Sequence, residues 1–296
     1  MDGTEAKGEL TVRVLRETHA AALAAALAAK PETHLFLRAN LAKGGIEDTG
    51  KRNTATWVGA VEDNSDIAAA AALCWNGACL LHAPEALDHI LDTLAGAAPR
   101  EALELAGPAD QVVKAELHGW FRDRSLKHRV EAMVMTLALA DLRMPAPMAA
   151  GTVDTRPPMG EELAELGAWH ADLRDTLHGD ARTPENDLAA RQFIRLLHDE
   201  RRDIVATVAD KPVAYAAVTI EHEGWVNVGA VYTPPDLRGR GYARCAVAGL
   251  LRDAAKGGAT HAMLTVTRED PLAARVYAAL GFVPAYDWTV VRYHPA

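Results

Sequence analysis

Two glycines and two arginines lie close together where an extended apolar run gives way to a helix. The segment reads Val231-Tyr232-Thr233-Pro234-Pro235-Asp236-Leu237-Arg238-Gly239-Arg240-Gly241-Tyr242-Ala243. The two prolines favour an extended turn, and Gly239 and Gly241 leave backbone amides uncovered where the helix begins. These amides, the positive end of the helix dipole and the guanidinium groups of Arg238 and Arg240 would converge on one point. The segment therefore predicts a binding site for an anion of the phosphate type.

A second segment of characteristic spacing follows the next predicted strand. It reads Asp270-Pro271-Leu272-Ala273-Ala274-Arg275-Val276-Tyr277-Ala278-Ala279-Leu280-Gly281-Phe282. Taken with Arg238-x-x-Gly241-x-Ala243, it resembles the paired motifs of the GCN5-related N-acetyltransferases, the GNAT superfamily. The first motif is not a Walker A loop, because no Gly-Lys-Ser/Thr follows, and it lacks the third glycine of a dinucleotide fingerprint. The resemblance covers about residues 152–296.

The resemblance implies that acetyl-CoA is the co-substrate. The amides from Gly239 to Ala243 would hold its pyrophosphate, and the strand edge at 231–233 would pair with its pantetheine arm as an added strand does. Tyr277 falls on the family's usual general acid, a phenol that protonates the leaving thiolate. The residues expected to bind acetyl-CoA are Val231, Tyr232, Thr233, Arg238, Gly239, Arg240, Gly241, Tyr242, Ala243 and Asp270.

The sequence departs from the family pattern at two positions. Asp270 replaces an asparagine, so its contact to the pantetheine would lose an amide donor. The strand position that holds a glutamate base in some members falls on Asn227, and an amide cannot accept a proton at neutral pH. Glu221, His222 and Glu223 lie just upstream and could act through water.

These residues are compatible with three functions. The leading hypothesis is an N-acetyltransferase in which a small-molecule or peptide amine attacks the acetyl thioester directly. A second enzyme hypothesis is an aminothiol acetyltransferase of the mycothiol synthase type, which has a tandem layout. The absence of the strand glutamate supports a third, a non-catalytic module that binds acetyl-CoA for regulation.

The alternation of helical and extended patterns predicts a mixed α/β sheet flanked by helices. A parallel neighbour is required where a strand, a helix and a further strand follow one another at 225–267. The resemblance implies that this parallel pair splays apart and forms the cleft. The predicted elements of the second half are helices at about 160–177, 184–198, 242–256 and 271–280, and strands at about 152–155, 203–208, 212–220, 225–233, 261–267 and 289–293.

The first half repeats this order of elements, which predicts two tandem GNAT-like domains. The Pro-rich connector at 143–151 excludes a helix by its composition and places the boundaries at 1–143 and 151–296. After the strand ending at His82, the first half has Ala83-Pro84-Glu85-Ala86-Leu87-Asp88, with no glycine and two carboxylates that would repel a pyrophosphate. The first domain is therefore expected to be degenerate and not to bind CoA.

Composition limits the remaining classes of partner. The formal net charge of −9 makes nucleic acid an unfavourable partner. The apolar run Ala20–Ala29 is about half the length that a bilayer core requires, so we expect no membrane span and a cytoplasmic location. The three cysteines form no CxxC pair, and the twelve histidines show no metal-ligand spacing, so no metal is expected. Homodimer formation stays open.

Overall fold

The computed structural model describes residues 10–63 and 65–296, which form two compact units. The first unit contains the chain up to Glu131 together with Asp287–Ala296, and the second contains Ala132–Tyr286. Relative to the predicted ranges, residues 132–143 lie in the second unit and residues 287–296 lie in the first. Residues 1–9 of the predicted first domain lie outside the described residues. No helix within the described ranges has both the length and the apolar character needed to cross a membrane.

The first unit is built on a mixed sheet. Its strands follow the order β1-β2-β3-β4-β5-β12, in which β4 and β5 are parallel and the other neighbours are antiparallel. Its elements are β1 (Thr11–Val14), a 3-10 turn (Glu17–His19), α1 (Ala20–Ala28), α2 (Pro31–Gly44), β2 (Ala55–Val61), β3 (Ile67–Cys74), β4 (Ala78–His82), α3 (Leu87–Ala97), β5 (Glu104–Pro108), α4 (Ala109–Leu117), the start of β6 (Leu126–Ala138) and the end of β12 (Val283–Tyr293).

The core of the first unit forms where α3 packs on the sheet. Ile90, Leu91 and Leu94 of α3 are fully buried and belong to one apolar cluster with Ala69 and Ala71 of β3. The alanines on this face of β3 leave room for the leucine side chains of the helix, so the helix can approach the sheet closely.

The second unit has a sheet of the same pattern. Its strands follow the order β6-β11-β10-β9-β8-β7, in which β10 and β11 are parallel and the other neighbours are antiparallel. Its elements are the end of β6, a 3-10 turn (Leu139–Asp141), α5 (Ala146–Ala149), β7 (Asp154–Arg156), a 3-10 turn (Gly160–Glu162), α6 (Leu163–His178), α7 (Pro184–Asp199), β8 (Asp203–Val208), β9 (Lys211–His222), β10 (Trp225–Tyr232), a 3-10 turn (Pro235–Leu237), α8 (Tyr242–Lys256), β11 (His261–Thr267), α9 (Pro271–Ala278) and the start of β12.

The two faces of the second sheet have separate cores. On one face, Val247 and Leu251 of α8 are fully buried with Ala214 and Ala216 of β9. On the other face, α6 and α7 pack through a cluster that includes Trp169. Helices therefore pack on both faces of β9 and β10 and hold these strands in place.

The connector contains one helical turn, which corrects the expectation that its prolines exclude a helix. α5 spans Ala146–Ala149, and Pro147 is its second residue. Proline is tolerated in the first turn of a helix because the amide it lacks has no intrahelical partner there. The connector is therefore ordered as a single turn that begins after Pro145 and contains Pro147.

Strands β10 and β11 separate after three residue pairs, as the family resemblance implies. Trp225, Val226 and Asn227 pair with β11, and the described part of the chain shows no ladder between these strands beyond Asn227. A bulge lies further along β10, where the pairing with β9 shifts register between Gly229 and Tyr232. Ala230 within it has a φ of 52°, which is unusual for a residue other than glycine. The second half of β10 thus keeps a free backbone edge toward β11.

Candidate active site

A cavity of about 690 Å³ lies in the second unit, where β10, α8 and α9 meet. Every residue expected to bind acetyl-CoA lines it except Arg240, and Tyr277 lines it as well. The lining residues are Leu173, Thr176, Leu177, Val231, Tyr232, Thr233, Leu237, Arg238, Gly239, Gly241, Tyr242, Ala243, Arg244, Asp270, Leu272, Ala273, Arg275, Val276 and Tyr277. The structure therefore brings both sequence motifs to one cavity.

The glycine-rich loop opens directly onto the first turn of α8. Gly239 and Gly241 have φ values of 79° and 81°, in the left-handed region that favours glycine. A Cβ at Gly239 would meet no atom within 4 Å, so the backbone is open there. Gly241 is the N-cap residue of α8, and the amides of a first helical turn have no partner within the helix. The loop and helix start can accordingly present several N–H groups to an anion.

The two predicted arginines of this loop are held by its own backbone. Arg238 Nε donates to the carbonyl oxygen of Thr233 at 3.0 Å, and its guanidinium lies 5.8 Å from the centre of the Tyr232 ring. Arg240 donates to the carbonyl oxygen of Asp236 at 3.4 Å. These contacts fix the loop while both positive charges stay next to it.

Thr233 supplies a buried hydroxyl with unused hydrogen-bonding capacity. Its Oγ1 forms no hydrogen bond to any residue in the described ranges. A buried hydroxyl without a partner is costly, and a ligand that supplies one removes the cost. Because Thr233 follows the free edge of β10 and lines the cavity, a polar chain lying along that edge would find a partner here.

Tyr277 holds its proton firmly. Burial is the main reason that the pKa of its phenol is raised, and the nearby charge of Asp270 raises it further. Its ring packs edge-on against Phe282 with centroids 6.0 Å apart, which fixes the phenol on α9. At neutral pH the side chain is a proton donor, which is the state a general acid needs.

Asp270 caps α9. Its Oδ1 accepts from the amide of Ala273 at 2.9 Å. The carboxylate is thus engaged with its own helix, and it also borders the cavity.

Asn227 lies at the point where the parallel strands separate, but it does not line the cavity. The residue is 8% exposed. Its Nδ2 donates to Thr219 Oγ1 at 2.7 Å, and its Oδ1 is buried without a partner among the described residues. The position that would carry a strand base therefore holds a neutral amide.

The other three candidate acid–base groups lie outside the cavity. Glu221 and His222 end β9, and Glu223 is in the turn before β10, with His222 Nε2 3.8 Å from Glu223 Oε1. None of the three lines the cavity.

Sequence reasoning missed one wall of the cavity and two of its charges. Leu173, Thr176 and Leu177 of α6 form an apolar wall that carries no motif. Arg244 directly follows the first motif on α8, and Arg275 lies within the second motif on α9.

The corresponding strand end of the first unit is filled by its own side chains. Gln111 of α4 is 6% exposed, and its Oε1 accepts from the amide of Ala83 at 2.8 Å, directly after β4. Nδ1 of His82, the last residue of β4, lies 2.7 Å from Nε2 of His34. The amide that would be free in a binding loop is therefore already paired.

Within residues 10–63 and 65–296, no group of three or more histidine, cysteine or carboxylate side chains is arranged to hold a metal ion.

Comparison with known proteins agrees with this geometry. Residues 167–282 match the profile of the acetyltransferase (GNAT) family. No curated protein has a detectable sequence match to the chain.

Several solved structures share the fold. A protein from Drosophila has a TM-score of 0.67 at 12% identity, covering 97% of this chain and 99% of that one. A GCN5-related N-acetyltransferase from Sphaerobacter thermophilus has a TM-score of 0.57 at 17% identity, with 96% and 95% covered. A tandem GNAT protein from the clavulanic acid biosynthesis pathway has a TM-score of 0.55 at 15% identity, with 97% and 100% covered. At these identities the likeness concerns the fold.

The matched family and the fold together define an acyltransferase. Residues 167–282, which contain both sequence motifs, carry the match to the acetyltransferase (GNAT) family. The predicted mixed α/β fold with two GNAT-like halves is confirmed.

Proposed function

We propose that the second unit binds acetyl-CoA and transfers its acetyl group to a primary amine by direct attack. The observation that carries this proposal is the single cavity that joins the glycine-rich loop, the free edge of β10 and the phenol of Tyr277. Each of these features suits a different part of acetyl-CoA.

The loop suits the pyrophosphate. Uncovered amides at Gly239 and Gly241, the dipole of α8 and two arginines all favour a dianion at this place. The free edge of β10 suits the pantetheine arm, whose amides can pair with backbone groups as a strand would. The buried Thr233 hydroxyl offers the arm one further polar partner.

Bound acetyl-CoA supplies an activated acetyl thioester, and the residues of the chain supply position and a proton. The edge of β10 aligns the arm so that the thioester lies between the separated strands. Tyr277 donates its proton to the leaving sulfur, which avoids release of a free thiolate. Because Asn227 cannot take a proton, the acceptor amine must enter in its neutral form or lose its proton to water.

Calorimetry with acetyl-CoA tests the binding step. We expect one site per chain and loss of binding in Gly241→Asp, which places a carboxylate against the pyrophosphate. Gly96→Asp is the matched control, because a Cβ at Gly96 of α3 would meet no atom within 4 Å. Two sites per chain, or unchanged affinity in Gly241→Asp, would contradict the proposed site.

Release of free thiol from acetyl-CoA, measured across a panel of amines and aminothiols, tests the transfer step. Turnover with a primary amine supports the proposal. Binding without turnover on any acceptor would instead identify a non-catalytic acetyl-CoA-binding module.

A further inference from the structure

The cavity of the second unit has residues from both faces of its sheet. Tyr277 lies on the face of α8, because it packs against the apolar cluster that contains Val226 and Val228 of β10. Tyr232 lies on the opposite face, because it belongs to the cluster of α6 and α7. A ligand bound along the free edge of β10 is therefore accessible from both faces.

In the proposed reaction, the face of α8 is occupied by the chemistry of the donor. Tyr277 meets the leaving sulfur from this face, and the glycine-rich loop leads into α8 on the same face. The amine must attack the thioester carbon while Tyr277 protonates the sulfur, so the two groups need separate access. The space that this leaves for the acceptor is on the α6 face.

The α6 side of the cavity carries no formal charge. Its lining residues are Leu173, Thr176 and Leu177. The hydroxyl of Thr176 is already used, because its Oγ1 donates to the backbone carbonyl oxygen of Asp172 at 2.9 Å. The charged lining residues all lie in the glycine-rich loop, in α8, or in α9 and at its N-cap: Arg238, Arg244, Asp270 and Arg275. Charge in the cavity is thus confined to the donor side.

The carboxylate beside this wall also has partners. Asp172 Oδ2 accepts from the Tyr232 hydroxyl at 3.3 Å, and Asp172 forms an ion pair with Arg182. Asp172 does not itself line the cavity. A second charged group that entered with the acceptor amine would lose its water without gaining a counter-charge, which is costly.

Resting on the proposed function, we propose that the acceptor is an apolar primary amine with no second charged group near its amino group. Leu173 and Leu177 contact its carbon skeleton and determine this specificity. A hydrocarbon chain that lies against the two leucines removes apolar surface from water on both partners, which favours its binding.

Steady-state kinetics of the full-length chain with two matched pairs of acceptors test this. Pentylamine and cadaverine differ by a second ammonium group, and isoamylamine and leucine differ by a carboxylate. Release of free thiol from acetyl-CoA measures turnover, and calorimetry measures the affinity for acetyl-CoA. We expect the member without the second charge to have a kcat/KM at least about tenfold higher in each pair.

Two variants test the role of the wall. Leu173→Asn and Leu177→Asn make it polar at nearly constant size. Each should lower kcat/KM for pentylamine by about tenfold and leave the affinity for acetyl-CoA unchanged. Leu188→Asn is the matched control and should equal the parent, because Leu188 of α7 is 56% exposed and does not line the cavity. Melting of the unliganded proteins checks that each variant is folded.

An equal or higher kcat/KM with cadaverine or leucine would overturn the inference, and this comparison needs no variant. It would also be overturned if the folded leucine variants kept the parent's kinetics with pentylamine. Weaker acetyl-CoA binding in these variants would overturn it too, because the wall would then belong to the donor site. A parent that binds no acetyl-CoA, or turns over no amine, would instead refute the proposed function, so the two failures are distinguishable.

Discussion

The carboxamide nitrogen of Asn227 lies 2.7 Å from the hydroxyl oxygen of Thr219 and donates to it across β9 and β10. This contact joins the two strands where β10 leaves β11. Thr219→Val keeps the side-chain shape and removes the acceptor, which leaves a buried amide nitrogen unpaired. We expect a loss of about 1–2 kcal/mol in the free energy of unfolding, measured by urea denaturation. Thr219→Ser keeps the acceptor, and a valine variant as stable as this control would contradict the role.

The phenol of Tyr277 should control the rate of transfer more than binding. Tyr277→Phe keeps the ring packing on Phe282 and removes only the hydroxyl. Proton donation contributes about 10²- to 10⁴-fold, so kcat with an active amine should fall within that range while the acetyl-CoA affinity changes little. A variant that turns over within about twofold of the parent, where chemistry limits the rate, would show that the hydroxyl is structural.

Burial of His170 should make the second unit less stable in acid. The residue is 9% exposed and stacks on Phe193, with ring centroids 4.8 Å apart. Burial, with a smaller contribution from the charge of Arg174, lowers its pKa to about 4. Between the unfolded pKa near 6.5 and this folded pKa, the unfolded chain binds the extra proton, so stability falls as pH falls.

The size of this effect can be isolated by mutation. Between about pH 7 and pH 5, His170 should account for a loss of about 2 kcal/mol. His170→Phe keeps the stacking and removes the titration, so its unfolding free energy should depend less on pH. Parallel pH profiles for the parent and this variant would disprove the assignment.

Gln111 should be structural in the first unit. Gln111→Met removes the acceptor for the amide of Ala83. We therefore expect the free energy of unfolding to fall by about 1–3 kcal/mol. Lys114→Met on the exposed side of the same helix is the control and should change little. Acetyl-CoA stoichiometry should stay at one per chain in both variants, and a second binding site in Gln111→Met would contradict this prediction.

The elements around the motifs were predictable because their ends carry strong local signals. Pro184 and Pro271 begin α7 and α9, and Gly257 follows the last residue of α8, as the sequence indicates. The helix α2 was missed because it buries His34 and Arg38 among its leucines, which hides the apolar stripe that marks a surface helix. The last strand begins earlier than expected, at Val283.

Part of the cavity lining was equally predictable. The loop and Tyr277 have residue types that are constrained by local chemistry, namely glycine at positive φ and a phenol on a helix facing the cleft. The α6 wall contains Leu173 and Leu177. In the sequence these leucines cannot be distinguished from core leucines, and only the folded structure shows that they line the cavity with residues of β10. Tertiary packing, rather than local spacing, decides which leucine lines a cavity.

The return of residues 287–296 to the first unit has a consequence for synthesis on the ribosome. Strand β5 pairs with β12 through Trp288–Arg292, which come after the whole second unit in the chain. The first sheet therefore stays incomplete at one edge until the ribosome has also made the second unit and β12, although most of its residues emerge first. A fragment that starts at the connector would lack β6, the neighbour of β11. It would also keep β12 without its neighbour β5. Truncations intended to isolate the acetyltransferase half should therefore begin before Ala132 and end before Asp287.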